Sequence, residues 1–325
     1  MKMLKFFTDK KWWPWSIGGT IVIVAAVYTI VRLDVMINEW FGAFYDLLQK
    51  ALSAPNAVSL GEFNSQLITF FTIAGVYVII NTVFNGFLVN HWTFRWRQSM
   101  AEYYLANWAK ARKVEGASQR LQEDTLKFAR ITESLGIGLL ESILMLGAFI
   151  PVLWVLSEKI TVLPIVGEVS QSLVWVVILT ALGGTVVLTL VGHKLPGIEY
   201  DIQKAEAAYR KELVIGEDDS TRAKKADVDF LFRDVKKIHF RSYMHYFYFN
   251  IAKWSYIQGM VIVPYVALAP TIVTGAITLG VVSQTSRAFG KVAESLQYVV
   301  RSWTQIVEVI SVYKRLSEFE SKIND

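Results

Sequence analysis

Cysteine is absent from the 325 residues. That excludes a disulfide framework and any thiolate metal site, and leaves the redox compartment unread. No G-x-x-x-x-G-K-[ST] run occurs either. Gly290-Lys291 is followed by Val292, with Thr285 where the first glycine would stand, and Gly192-His193-Lys194 also fails. A P-loop is therefore missing, no ATPase domain of ordinary size fits after the last hydrophobic segment, and ATP would have to act through a separate subunit. Nothing resembles a nucleophile elbow or a catalytic dyad. The four histidines, His91, His193, His239 and His245, show no metal-ligand spacing, so no enzyme activity, metal or cofactor is expected. Charge is scarce as well, at 19% of residues, and there is no repeat, low-complexity tract or second domain.

Apolar residues dominate instead. They make up 53% of the chain, with a mean hydropathy of +0.36, and they fall in runs of the roughly 20 residues that a bilayer-spanning helix needs. The expected spans are 12–33, 65–90, 134–157, 172–192, 252–270 and 274–300. Asn81 and Asn85 are polar positions in the second and Glu141 is the one charge in the third. The long uncharged run between Lys253 and Arg287 is divided near Pro270 to Gly275, where proline and glycine favour a turn. The basic start, Met1 to Lys11, resembles a signal peptide. No A-x-A site follows it, and Arg32 and Asp34 come next, so an uncleaved first membrane helix is expected.

The loops alternate in charge. Asp34 to Glu62 is acidic. His91 to Glu133 carries Arg95, Arg97, Lys110, Arg112, Lys113, Arg120, Lys127 and Arg130. Glu158 to Gln171 has almost no basic residue, His193 to Lys253 is basic again, and the C-terminus holds Lys314, Arg315 and Lys322. The positive-inside rule then places both termini and both long loops in the cytoplasm. The net charge of +5 is explained by phosphate headgroups beside the spans rather than by nucleic acid. Trp96 to Val114 and Ile198 to Leu213 have helix-forming composition, so the stretches 91–133, 193–250 and 300–320 are expected to carry the spans on as helices outside the membrane. Glu217 to Ala226 is the expected true loop. Phe289, Val292, Leu296, Val299, Trp303, Ile306 and Ile310 follow helical spacing and predict one long final helix.

Carboxylates are the chemically interesting groups. A partly desolvated glutamate has a raised pKa and can exchange protons near neutrality. Glu199 and Glu206 are seven residues apart and share a helix face, and Glu217, eleven beyond Glu206, returns to nearly the same face unless Gly216 breaks the helix. Glu123 and Glu133 flank the start of the third span, and Glu141 lies inside it, where a carboxylate is costly unless it faces a cavity or partner. The structural alternative is ordinary i,i+4 pairing, Glu206 with Arg210 and Asp218 with Arg222. Trp12, Trp13, Trp15 and the cluster Tyr243, Tyr246, Phe247, Tyr248, Phe249 and Trp254 read as a membrane–water belt, or, for the cluster, as a wall that binds peptide.

Six spans with long helical excursions resemble the membrane half of an ABC exporter, which works as a two-fold dimer. The strings HWTFRWRQSMAEYYLANW (His91 to Trp108), GASQRLQEDTLKFA (Gly116 to Ala129), KLPGIEYDIQKAEAAYRKELVIGEDD (Lys194 to Asp219), RSYMHYFYFNIA (Arg241 to Ala252) and SWTQIVEVISVYKRLSEFE (Ser302 to Glu320) resemble the SbmA/BacA family of bacterial inner-membrane peptide transporters. Related runs occur in peroxisomal fatty-acyl ABC transporters. Familiar SbmA/BacA members carry further hydrophobic segments ahead of the position that matches Trp12. The resemblance implies a single transport domain over 1–325, an all-α membrane fold, a homodimer, and import of peptides such as microcins, bleomycin-like compounds and proline-rich antimicrobial peptides, driven by the proton gradient. It also implies that Glu123, Glu133, Glu206 and Glu217 are the cavity carboxylates, with Glu141 and Glu199 as further candidates. Other readings stay open: a membrane subunit of an ATP-driven exporter or fatty-acyl transporter with a separate ATPase, a membrane-embedded enzyme, and a non-transporting membrane protein.

Overall fold

The structure is a computed structural model and describes residues 2–114, 116–160, 162–164, 167–219 and 221–324. The side chain of Asn85 lies outside what is described. The chain is all-α apart from a two-residue hairpin, β1 (Val162–Leu163) with β2 (Gly167–Glu168). Its long helices are α1 (Pro14–Ser53), α2 (Leu60–Ala106), α3 (Ala117–Ser157), α4 (Ser172–Gly192), α5 (Leu195–Asp218), α6 (Lys225–Val273), α7 (Leu279–Leu296) and α8 (Trp303–Asn324). A short helix, Lys5–Thr8, precedes α1. Five of these, α1, α2, α3, α4 and α6, are long and apolar enough to cross a membrane.

Length separates two halves in most of these rods. The 41 residues of α3 extend about 60 Å, twice the apolar thickness of a bilayer. Only the charge-poor half fits in lipid, and the first half, 117–133, lies outside it. Burial agrees. Only 11–39% of each apolar window is buried within the chain, because in lipid an apolar side chain gains little by facing protein. The dense core lies at the polar ends instead, where Phe6, Trp92, Trp96, Met100, Tyr104, Phe128, Leu316 and Phe319 pack together. There, in water, burial of apolar area drives packing. Trp96 Nε1 donates to the Met3 carbonyl at 2.9 Å, which ties the N-terminal segment to α2.

The loop expected from Asp34 to Glu62 is helix as far as Ser53. No proline occurs in this stretch before Pro55, and Asp34 and Asp46 find protein partners, so nothing stops α1 at the end of its apolar run. Ala54 turns extended just ahead of Pro55, as a residue before proline prefers. A reciprocal capping box between Ser59 and Glu62 then starts α2. Three other expectations need revision. α5 runs through Gly216 to Asp218. α6 continues past Pro264 and Pro270 to Val273, since membrane helices tolerate proline, and the turn follows at Gly275, with φ +70°. The final helix is interrupted at Gln297 and Ser302, which rotates its buried face. Phe289 and Val292 are buried as the spacing predicted, but Val299, Trp303 and Ile310 are exposed, and Val312, Leu316, Phe319 and Ile323 are buried instead.

The sixth expected span, 274–300, also differs. Its helix α7 carries Arg287, Lys291 and Glu294 and is not among the five apolar rods. Rather than face lipid, α7 packs against α1 and α3. Its first turn is satisfied largely by α1. The Gly280 amide donates to Asp46 Oδ1 at 2.9 Å, the Leu279 amide to Gln49 Oε1 at 2.8 Å, and the Val281 amide to the hydroxyl of its own cap, Thr278. An acceptor carboxylate here also suits the positive end of the helix dipole.

The chain divides into two compact units, Met1–Ile178 with Pro264–Asp325, and Leu179–Val263. The first holds α1, α2, α3, α7 and α8. The second holds most of α4 and α6 and all of α5. Within it Tyr256 donates to the Thr180 carbonyl at 3.2 Å, and Phe249 covers Gly192.

The contact between α7 and α1 predicts its own test. A Cβ on Gly280 would collide with the Gly42 carbonyl oxygen and the Asp46 carboxylate. Gly280→Ala is expected to destabilise the protein by about 1–3 kcal/mol, read as a lower Tm of the purified protein. Gly259→Ala, with nothing within 4 Å, should leave Tm unchanged.

Candidate functional site

Three of the six candidate carboxylates lie in the first unit. Glu123 sits in a wide-turn stretch of α3, Arg120–Asp124. It accepts from Gln119 Nε2 at 3.2 Å and pairs with Lys127 Nζ at 2.7 Å. The Lys127 and Gln119 hydrogen bonds hold its pKa below the usual carboxylate range. Near neutral pH it is therefore a fixed charge. It lines an open hollow of about 530 Å³ together with Arg97, Gln119 and Gln122.

Glu133 is different. It stands at the polar end of α3, one residue ahead of the apolar run, half-buried against α2. Burial pushes its pKa up to about 7, and the Thr93 hydroxyl and Arg130 only partly oppose this. Thr93 Oγ1 is 3.5 Å from Glu133 Oε2 and 2.8 Å from the Val89 carbonyl. A hydroxyl has one proton to give, and the Val89 carbonyl is the nearer acceptor. The Thr93 contact with Glu133 is therefore a weak one, and burial decides the shift.

Glu141 lies half-buried within the apolar part of α3, in electrostatic reach of Lys291, Asp34 and Glu294. The sequence reading did not find its neighbours. Asp34 is buried, and Lys291 Nζ donates to its Oδ1 at 2.8 Å. The available signal was the trio Arg287, Lys291 and Glu294 inside an expected span. Nothing in a single sequence says that Lys291 meets a residue 257 positions away.

Glu199, Glu206 and Glu217 belong to the second unit. α5 is unbroken through all three, so they share one face as their spacing predicts, and all three are exposed. The pairings expected for this region are replaced. Glu206 meets His239 Nε2 of α6 at 3.1 Å where Arg210 was expected. Arg222 pairs at 2.6 Å with Glu212 where Asp218 was expected. Local i,i+4 contacts lose here to partners brought close by the turn at 221–223. Tyr243, Tyr246, Phe247, Tyr248 and Trp254 are exposed on α6.

Below the apolar layer, a second charged group fastens α8. Asp124, 2% exposed, accepts from Arg120 Nη1 at 2.9 Å and from Arg315 Nη2 and Nε at 2.8 and 3.1 Å. Arg315 thus grips it as a two-pronged fork. Tyr104 adds a hydrogen bond to Glu320 at 3.1 Å. Burial raises the Asp124 pKa, but the two guanidinium groups outweigh it and hold the carboxyl below its usual range. Among the described residues no group of histidines and carboxylates forms a metal cluster.

Long apolar helices, with carboxylates at their polar ends and one ion pair within the apolar layer, define a multi-pass, all-α membrane protein. The chain belongs to the SbmA/BacA-like family, which matches residues 9–324. It is 26% identical, over 98% of its length, to the inner membrane ABC transporter ATP-binding protein YddA of Escherichia coli. It is 24% identical, over 97% of its length, to an uncharacterized ABC transporter ATP-binding protein of Synechocystis. A chloroplastic ABC transporter D family member of Arabidopsis thaliana is 23% identical over 72% of the chain and is matched over 34% of its own length. The chain spans 59% and 47% of the first two relatives.

Two outcomes follow from these charges. Glu133 has a folded pKa above its unfolded one, so the cost of burying its carboxylate is absent below the ordinary carboxylate pKa and grows until the pH passes about 7. Glu133→Gln should therefore raise Tm at pH 8 and leave it unchanged at pH 4. Asp124 has a lowered pKa, so its contribution is full above the ordinary carboxylate pKa and is lost only as pH falls through the lower value. Asp124→Asn is expected to cost about 2 kcal/mol, at the low end for a broken buried pair because both arginines keep contact with solvent. Hydrogen exchange should then quicken across 303–324.

Proposed function

We propose that the protein imports peptides and modified peptides across a bacterial inner membrane, as a homodimer driven by the proton gradient. The observation that carries this reading is Glu133, a half-buried carboxyl whose pKa of about 7 lets it load and unload a proton across the pH step of an energised membrane. Both termini and both long loops lie on the cytoplasmic side. A single half-transporter does not enclose a passage for a bulky solute, so two copies enclose a cavity and rock about it in alternating access. In this reading Glu123, Glu206 and Glu217 supply negative charge that attracts cationic peptides and, with Glu133, relay protons. Glu199 and Glu141 are the further members of the set. The aromatic face of α6 meets the membrane–water interface. Phospholipid and protons are the other partners, and nucleic acid is not one.

A second reading is favoured by the relatives. Those that match nearly the whole chain are named ATP-binding proteins and are longer. The alternative is a membrane subunit of an ATP-driven transporter, for peptide or fatty-acyl cargo, with the ATPase on a separate chain.

The deciding experiment is uptake of a labelled cationic peptide into proteoliposomes, with and without an inward proton gradient and without nucleotide. Gradient-dependent uptake is expected, falling by about tenfold or more when Glu123, Glu133, Glu206 and Glu217 are all changed to Gln. Full uptake by that variant would remove these residues from the mechanism. Uptake that needs ATP and a co-purified ATPase, and that survives an uncoupler, would select the second reading.

A further inference from the structure

The polar contacts between α1 and α7 follow the seam between the two helices turn by turn. The two helices run antiparallel, with Asp46 against Gly280, Gly42 against Gln284, Phe41 under the Arg287 guanidinium at 4.0 Å, and Asp34 bonded to Lys291 at 2.8 Å. Depth follows from a third contact. Trp40 Nε1 donates to the Gln66 carbonyl at 2.8 Å, and Gln66 stands one residue before the uncharged run 67–89 of α2. Trp40 therefore marks the rim of the apolar layer on α1, and Asp34, six residues further in, lies about 9 Å inside it.

Around the ion pair, polar atoms go unanswered. Asn38, one turn from Asp34 on the same face and 1% exposed, has no hydrogen-bond partner for Oδ1 or Nδ2. Neither do Thr285 Oγ1, Ser286 Oγ or Arg287 Nε among the described residues. Such an arrangement stabilises poorly. Apolar residues of similar volume commonly match or exceed a buried ion pair, and each orphaned polar atom adds a desolvation cost. A bundle selected for stability alone would place leucine here, so the cluster points to function.

We propose that Asp34 and Lys291 form a proton-binding site inside the apolar layer, separate from the carboxylates at the polar ends, with a proton as its ligand. This rests on the proton-coupled reading above and adds the membrane-embedded step to it. A hydronium ion entering the cluster forms an O–H bond with the Asp34 carboxylate and leaves as water. The Lys291 ammonium, losing its counter-ion, is then balanced by Glu141 of α3, and loss of the proton restores the pair. The other charged and titratable groups in electrostatic reach of the pair or of Glu141 are Tyr77 of α2 and Arg287 and Glu294 of α7, with Tyr45 of α1 beside Arg287. Lys291 thereby exchanges an α1 partner for an α3 partner, and the helix between them registers the presence of the proton.

The test uses the full chain with Asp34→Asn, Lys291→Gln and the double variant, which restores charge balance. Two readouts are taken. Uptake of labelled cationic peptide into proteoliposomes is measured with a proton gradient, and exchange of the same peptide is measured without one. In addition, the infrared difference spectrum between acidic and alkaline pH reports protonated carboxyl groups directly. All three variants are expected to lose gradient-driven accumulation by about tenfold or more while the double variant still exchanges peptide, and Asp34→Asn should lose one carboxyl band. Wild-type accumulation by the double variant would make the pair structural and overturn the proposal, as would an unchanged carboxyl band in Asp34→Asn. If the wild-type protein shows no gradient-driven uptake, the transport reading fails, and the infrared band still decides whether Asp34 binds the proton.

Discussion

Helix α7 carries Arg287, Lys291 and Glu294 in eight positions, yet it lies beside rods whose spanning runs are almost free of charge. It cannot face lipid at that cost, so it must be enclosed, and much of the first unit is arranged to enclose it. α1 lends Asp46 and Gln49 to its first turn and Asp34 to its lysine. α3 closes its other side, where Tyr298, just beyond α7, donates to the Leu135 carbonyl at 2.9 Å. The extended length of α1 has the same cause. Its residues from Asp34 to Gln49 cap and pair α7 on one side and meet α2 through Trp40 and Phe44 on the other.

The two regimes of packing divide along the helices. In the apolar layer α7 packs closely against α1 and α3, burying Phe149, Leu153, Phe289 and Val292, while the outer faces of the rods stay open. Outside it, a compact aromatic core joins the N-terminal segment, α2, α3 and α8, and Asp124 clamps α8 through Arg315.

The spans were legible because the length and charge-poverty of a run are properties of one segment. So were the continuous α5 face and the turn near Gly275. What was not legible depends on neighbours. The stretch 34–53 reads as an acidic loop until α7 supplies partners for its charges. Glu206 reads as a partner for Arg210 until the fold brings His239 of α6 alongside. The apolar stripe that begins at Phe289 has the right period, but two short interruptions at Gln297 and Ser302 rotate it, and no residue there signals a break as proline would. The site residues follow the same division. Candidate glutamates could be named from sequence, while the environments that separate the fixed charge of Glu123 from the titrating Glu133 exist only in the fold.

The wide turns deserve a mechanical reading. α1 has one at Pro14–Gly19, α2 at Thr82–Val89 and α3 at Arg120–Asp124. Each widened turn loosens the hydrogen-bond ladder of its helix and is a natural place for it to bend. All three lie toward the end of the bundle that the N-terminal segment occupies, and the turn in α1 rests against α2 while the turn in α2 rests against α1. The rods are thus levers with their fulcrums gathered at one end. A bend at such a turn displaces the opposite tips, near Ser53, Leu60 and Ser157, further than the turn itself, in proportion to the length of the rod.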